Sequence, residues 1–361
     1  MTNKSSNKKK IIIASGGTGG HFYPGYAIGK ELISKGYEVL FVIKKSKSAE
    51  DKLEKEGLNY TDISLVGLPR EFDLRRYIKF IIKLVQSIKM AKNLIDDYKP
   101  NAVLAMGGYV SFPFVFWAKI KKINIYLHEA NSKIGLVNKL ALKHCKILFL
   151  GLPIVEKLDN AELVGTPVRK EFCDEETQKP PKKSTNKTVL IFGGSQGASG
   201  INNAMIHIVR EQKLKNTRFI HVTGQLGYKE IKKEYTNSKR VKVLEYTEDI
   251  HTYMAKADLV VSRAGASTVS ELIALRKPAI LVPYPFATNN HQYENAKIIA
   301  SFGCARLVSQ NDDLEKNIYD ELKDLIYKEN LLKMGQNYDN LLLPKPCKSA
   351  TKIANHIAKE I

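Results

Sequence analysis

The run Ile11-Ile12-Ile13-Ala14-Ser15-Gly16-Gly17-Thr18-Gly19-Gly20-His21 joins an apolar segment of strand length to four glycines and a histidine. A parallel strand buried on both faces reads as an unbroken apolar run, and glycines at its end let the backbone turn sharply into a helix. The free N–H groups at the start of that helix then face the turn, where an anion can sit. The same device returns as Val189-Leu190-Ile191-Phe192-Gly193-Gly194-Ser195-Gln196-Gly197-Ala198. Two copies half a chain apart predict two α/β domains, and 361 residues exceed the length at which a single core usually stops growing.

The flanking pattern agrees. In the first half, strands at Ile11–Ser15, Val39–Ile43, Ala102–Met106, Ile123–His128 and Ile147–Leu150 alternate with helices at about Pro24–Lys35, Ala49–Glu56, Leu74–Asp97, Phe112–Lys121 and Ile134–Lys143. Charge and proline gather between Arg169 and Lys187 without apolar periodicity, as in a linker. The pattern restarts with strands at Thr188–Phe192, Arg218–Thr223, Val241–Glu245, Leu259–Ser262 and Ala279–Val282, and ends in helices from about Leu314. The expected organisation is a Rossmann-like domain over 1–168, a linker over 169–187, and a second Rossmann-like domain over 188–361 that includes the terminal helices.

Net charge is +20, and residues 1–165 carry +12 of it, with 27 basic against 15 acidic side chains. Such a balance suits a polyanionic partner: nucleic acid, an anionic membrane face or a phosphorylated substrate. Nucleic acid is the weakest of these, because neither a recognisable binding motif nor an aromatic stacking platform accompanies the charge. Cys145, Cys173, Cys304 and Cys347 lack metal-ligand spacing and form no C-x-x-C pair, so a reduced, cytoplasmic protein is expected. The longest apolar stretches fall well short of the ~20 residues of a spanning helix. The basic start followed by Ile11–Ile13 is too short for a signal peptide.

The first turn fails the dinucleotide pattern G-x-G-x-x-G, since Phe22 stands at the last glycine and strand two ends in Lys44-Lys45 where a ribose would want an acid. There is no G-x-x-x-x-G-K-[ST], and no Asp-x-Asp to hold a metal on a diphosphate; no metal or cofactor is expected. His21 follows the glycines at a helix start, which favours the neutral imidazole that a general base needs. A plain helix-capping role is the alternative at this point. In the second half, Ser262-Arg263-Ala264-Gly265-Ala266-Ser267-Thr268-Val269-Ser270-Glu271 is a small-residue turn opening a helix. It would admit a diphosphate to free N–H groups, with Glu271 one turn in to accept from ribose hydroxyls. His291-Gln292 with Asn295-Ala296 places amides after another strand.

These residues resemble the MurG-type bacterial glycosyltransferases. The resemblance is carried by Gly16–His21 with Pro24, Met106-Gly107-Gly108-Tyr109-Val110-Ser111, His128-Glu129-Ala130-Asn131, Gly165-Thr166-Pro167-Val168-Arg169, Gly193–Ala198, Ser262–Glu271 and His291–Ala296, in the family's order. Ala130, Thr166 and the proline-free stretch Ser132–Gly135 depart from the family's usual residues.

The resemblance implies two facing Rossmann-like domains, the GT-B arrangement. It implies inverting transfer of N-acetylglucosamine from UDP-N-acetylglucosamine to the C4 hydroxyl of lipid I, undecaprenyl-pyrophosphoryl-N-acetylmuramoyl-pentapeptide. By position, Thr18, Gly19, Gly20, Asn131, Arg169, Ser195, Ala266, Ser267, Thr268, Val269, Ser270, Glu271 and Gln292 would contact the donor, and Thr247 the uracil through its backbone. Gly16, Gly17, Gly107, Gly108 and Tyr109 would face the acceptor diphosphate. His21 would be the base, with His128, Glu129 and Asp249 as alternatives. A lipid-borne acceptor also implies peripheral docking on the cytoplasmic face of an anionic membrane. In the 74–95 helix, Leu74, Tyr77, Ile78, Ile81, Val85, Ile88 and Leu94 are expected to face the core, leaving Arg76, Lys79, Phe80, Ile82 and Lys83 for the lipid. An epimerase acting on the same UDP-sugar is the nearest rival.

Overall fold

A computed structural model of the chain describes residues 8–16, 19–65, 73–178, 186–194, 196–211, 214–225, 227–327 and 330–361. Gly17, Thr18 and Ser195, named above as ligand contacts, lie outside the described residues. The strands are β1 Lys10–Ser15, β2 Glu38–Lys44, β3 Tyr60–Ile63, β4 Ala102–Ala105, β5 Asn124–Glu129, β6 Ile147–Leu150, β7 Ala161–Leu163, β8 Lys187–Phe192, β9 Thr217–Val222, β10 Val241–Leu244, β11 Leu259–Ser262, β12 Ala279–Leu281 and β13 Ala305–Leu307. The helices are α1 Gly19–Ser34, α2 Lys47–Lys55, α3 Leu74–Tyr98, α4 Phe112–Ile120, α5 Leu136–Ala141, α6 Glu175–Gln178, α7 Ser199–Arg210, α8 Tyr228–Glu234, α9 Ile250–Lys256, α10 Ala266–Leu275, α11 His291–Ser301, α12 Leu314–Tyr327, α13 Leu331–Asn337 and α14 Pro346–Glu360.

The chain divides into two units, 1–169 with 344–361, and 170–343. The first holds a parallel sheet ordered β3-β2-β1-β4-β5-β6-β7 and the second a parallel sheet ordered β10-β9-β8-β11-β12-β13. In each, the order reverses beside the strand that carries a glycine turn. Ligands of open α/β sheets bind beyond the carboxyl ends of the strands at such a switch point. The crevice at β1/β4 in the first unit and the one at β8/β11 in the second are therefore where the sequence placed its motifs.

The strands form because their side chains have no solvent face to satisfy: Ile11, Ile12, Ile13, Val103, Leu104, Val189, Leu190 and Ile191 are all fully buried. Helix α1 starts at Gly19, five residues before the expected Pro24, so the glycines are its first turn. Its close approach to the sheet comes from Gly25 and Gly29. A Cβ on Gly29 would fall 2.3 Å from the Phe41 ring, and one on Gly25 would lie 3.1 Å from Met106. These two glycines do the packing work that the dinucleotide pattern gives to the position occupied here by Phe22.

The terminal residues correct one boundary. Helix α14 belongs to the first unit and not to 188–361: Ile353, Ala354 and Ile357 share a core with Phe22, Ile28 and Leu32. Ser349 Oγ donates to the Val164 carbonyl at 2.7 Å, and Tyr126 donates its hydroxyl proton to Glu360 at 3.0 Å. Cys145, half-buried, and Cys304, buried, are free thiols, as expected for these two.

Candidate active site

In the first unit the carboxyl ends of β1 and β4 are tied together by Ser111, whose Oγ lies 2.9 Å from both the Ala14 and the Gly107 carbonyl oxygens. The turn after β4 needs glycine, because Gly107 and Gly108 have φ of +87° and +73°. His21, the third residue of α1, covers this turn. A Cβ on Gly16 would stand 3.1 Å from His21 Cδ2, on Gly107 3.4 Å from Cε1, and on Gly108 3.7 Å from Nε2. The structure thus gathers Gly16, His21, Gly107 and Gly108 at one spot, with the three glycines packed around the His21 ring.

Two of the alternative bases are placed differently. His128, on β5, is buried, and loss of hydration holds its imidazole down at about 4, with the neighbouring His21 pushing the same way. Glu129 is buried too, and both of its oxygens are engaged. Oε1 accepts from the Asn131 backbone and side-chain amides at 3.1 Å each, and Oε2 from Gly135 N–H at 2.8 Å and Asn138 Nδ2 at 2.9 Å. Glu129 therefore orients Asn131 and shapes the 131–138 loop. Arg169 stacks over the Tyr23 ring at 4.8 Å, which fixes it beside α1. Neither Asn138 nor Tyr23 was singled out from sequence, since each acts only through a partner far along the chain.

In the second unit α10 begins directly after the β11 turn. Val269 and Ser270 are buried, as is Ala266. The side chains of these three residues are turned from solvent, while Ser267, Thr268 and Glu271 are partly open. Arg263 NH1 donates to the Val282 and Pro283 carbonyls, 3.1 Å each, locking the β11 turn to the end of β12. Gln292 Oε1 accepts from Tyr284 N–H at 2.9 Å. Thr247 Oγ1 accepts from the Asp249 N–H at 3.0 Å in a closed local turn, and Asp249 is exposed. Gly194, at φ +93°, has nothing within 4 Å of its Cβ position, whereas Gly197 is pressed against the Thr223 carbonyl.

The exposure of the α3 side chains differs from expectation. Of the α3 stripe assigned to the core, Tyr77, Ile88 and Leu94 are half-buried, but Leu74 (64%), Ile78 (50%), Ile81 (55%) and Val85 (61%) are exposed, joined by Ile82 at 51%. The buried side runs through Ser87, Ala91 and Ile95, and Phe80 is half-buried edge-on against Tyr109, its ring centroid 6.1 Å away. Trp117 of α4 fixes that orientation by donating its indole N–H to the Ile88 carbonyl at 2.8 Å. Arg75, Arg76 and Lys79 are exposed beside the stripe, and Lys83 is half-buried. Among the described residues no helix is long and apolar enough to cross a membrane, and no group of three or more His, Cys, Asp or Glu could hold a metal ion.

Two Rossmann-type parallel sheets, each with a glycine turn beside its switch point, define a two-unit α/β fold, and comparison with known proteins agrees. The crystal structure of Acinetobacter baumannii MurG superposes with a TM-score of 0.76 at 24% identity, covering 97% of this chain and 99% of that one. A UDP-GlcNAc 2-epimerase from Neisseria meningitidis shares the fold at a TM-score of 0.64 and 15% identity, over 98% and 100% of the two chains. The glycosyltransferase family 28 N-terminal domain matches residues 11–149 and the family 28 C-terminal domain residues 188–354. This chain belongs to glycosyltransferase family 28. Among its relatives, the UDP-N-acetylglucosamine--N-acetylmuramyl-(pentapeptide) pyrophosphoryl-undecaprenol N-acetylglucosamine transferase of Elusimicrobium minutum is 42% identical, with 97% of this chain and 99% of the relative aligned. The protein of the same name from Shewanella frigidimarina is 33% identical over 93% and 92% of the two chains.

Proposed function

We propose that this chain transfers N-acetylglucosamine from UDP-N-acetylglucosamine to the C4 hydroxyl of lipid I, forming the β-1,4 link of lipid II and releasing UDP in peptidoglycan synthesis. The observation that carries the reading is the near full-length match to relatives named for that reaction. The clustering of Gly16, His21, Gly107 and Gly108 at one switch point supports it.

The acceptor oxygen attacks the anomeric carbon from the face opposite UDP. The C1–phosphate bond breaks as the C1–O4 bond forms, and configuration inverts. His21 takes the hydroxyl proton and later returns it to solvent. The growing charge on the UDP diphosphate is met by the first-turn N–H groups of α10 and by the Gly194, Gln196 and Ala198 amides of the β8 turn. Glu271 accepts from ribose, Thr247 lies at the uracil, and Asn131, Arg169, Gln292, Thr18, Gly19, Gly20 and Ser195 complete the donor contacts. Gly16, Gly17, Gly107, Gly108 and Tyr109 receive the acceptor diphosphate.

The exposed stripe Leu74, Ile78, Ile81, Ile82 and Val85, flanked by Arg75, Arg76 and Lys79, suits the headgroup boundary of an anionic membrane, where the acceptor's lipid is held. Phe80 supports this face from within by packing on Tyr109. The assay that separates the proposal from its rival gives the protein labelled UDP-N-acetylglucosamine with and without a short-chain lipid I analogue. Label moving to the analogue, and only then, is the expected result. Formation of the manno isomer without acceptor would establish an epimerase.

A further inference from the structure

Behind the Gly193–Ala198 turn lies a chain of buried polar groups that the reaction does not use. Asn202 in α7, His221 and the adjoining Thr223 at the end of β9, and Tyr235 after α8 are each at least nine-tenths buried. Asn202 Nδ2 donates to the Thr223 carbonyl at 3.0 Å, His221 Nε2 lies 3.0 Å from Asn202 Oδ1, and Tyr235 OH lies 3.2 Å from His221 Nδ1.

The direction of every bond follows from one end. The Thr223 carbonyl can only accept, so the Asn202 amide donates to it and presents Oδ1 to His221. His221 must then carry its proton on Nε2, and Nδ1 accepts from the Tyr235 hydroxyl. A single neutral tautomer satisfies the whole chain, and burial keeps that imidazole neutral by lowering it to about 4. The terminal acceptor matters most. A Cβ on Gly197 would fall 2.1 Å from the Thr223 oxygen, and one on Gly224 2.2 Å from Gly197 N, so this carbonyl is the wall against which the glycine turn rests.

We infer that Tyr235, His221 and Asn202 form a positioning relay that sets the Thr223 carbonyl and thereby seats Gly197, holding the neighbouring Gly194, Gln196 and Ala198 amides in the geometry that receives the donor's diphosphate. The inference rests on the donor-binding reading above. None of the three side chains needs to touch the ligand.

The test measures UDP binding by calorimetry and donor and acceptor kinetics for the intact protein, Asn202→Ala, Tyr235→Phe and the double variant. Asn202→Ala should weaken UDP binding about tenfold, the worth of one buried hydrogen bond, and raise the donor KM while leaving the acceptor KM unchanged. Tyr235→Phe should act in the same sense but less. The double variant should cost no more than Asn202→Ala alone, because both cuts release the same turn. Amide exchange over residues 194–198 should quicken in Tyr235→Phe, which keeps the ring and the fold even if Asn202→Ala does not fold. Variants that bind UDP as tightly as the intact protein, or whose two effects simply add, would overturn the inference. No UDP binding by the intact protein would overturn the donor-binding reading itself.

Discussion

Changing Ile78, Ile81 and Val85 together to serine should detach the protein from anionic vesicles without unfolding it. Each of these side chains leaves half or more of its surface in water in the isolated protein. Full burial of such a side chain is worth roughly 1.5–3 kcal/mol, so moving the exposed half into the headgroup boundary contributes about 1 kcal/mol each. Three together give about 3 kcal/mol, or ~10² in partition. Neutralising Arg75, Arg76 and Lys79 should remove a comparable amount, about 1 kcal/mol per cation, but only at low salt. The assay is co-sedimentation with phosphatidylglycerol-containing vesicles, with thermal unfolding as the control for folding. Phe80→Ser is the contrasting variant: it should lower the unfolding temperature, because Phe80 packs on Tyr109. Undiminished sedimentation of the triple variant would refute the docking face.

His21→Ala should lower turnover ~10²-fold or more with little change in donor KM, since a base acts in the transition state and contributes little to donor binding; steady-state kinetics with both substrates varied would decide this. Stability should fall on acidification below pH ~6.5. His128 and His221 are held by burial at about 4 against an ordinary 6.5, so the unfolded chain binds protons first. Stability is complete above the unfolded value and is lost toward pH 4, by up to about 3 kcal/mol per imidazole; urea unfolding between pH 7.5 and 4.5 reads it, and a flat midpoint would speak against it. Gly197→Ala should abolish UDP binding or folding, because φ is +87° and its Cβ would strike the Thr223 carbonyl. Gly194→Ala, strained but unobstructed, should lose only about 1–2 kcal/mol of stability; parallel calorimetry and thermal melts would compare them.

The central strands were legible because a parallel strand buried on both faces leaves a continuous apolar signature, as in Ile11–Ile13 and Val189–Ile191. The edge or near-edge strands Tyr60–Ile63, Ala161–Leu163 and Ala305–Leu307 were not. Three or four residues of mixed polarity carry no period, and it is pairing with a neighbouring strand that makes them strands. Helix α14 was legible as a helix but not by its partner, since nothing local in residues 346–360 names the sheet it covers. The same limit governs α3, whose apolar residues run down both sides. The Trp117 bond to the Ile88 carbonyl chooses the inward face, and that contact lies 29 residues away. At the site, glycines and His21 were readable because their backbone chemistry is local. The supports, Ser111 across β1 and β4, Glu129 under Asn131, and Asn202 with His221, depend on long-range geometry.

The most direct test of the account is product analysis after incubation with UDP-N-acetylglucosamine and a soluble lipid I analogue, reading the new linkage by NMR and UDP release alongside. The account predicts one UDP per disaccharide formed and a β-1,4 bond from the α-linked donor. An α-linked product, or UDP released without disaccharide, would contradict it.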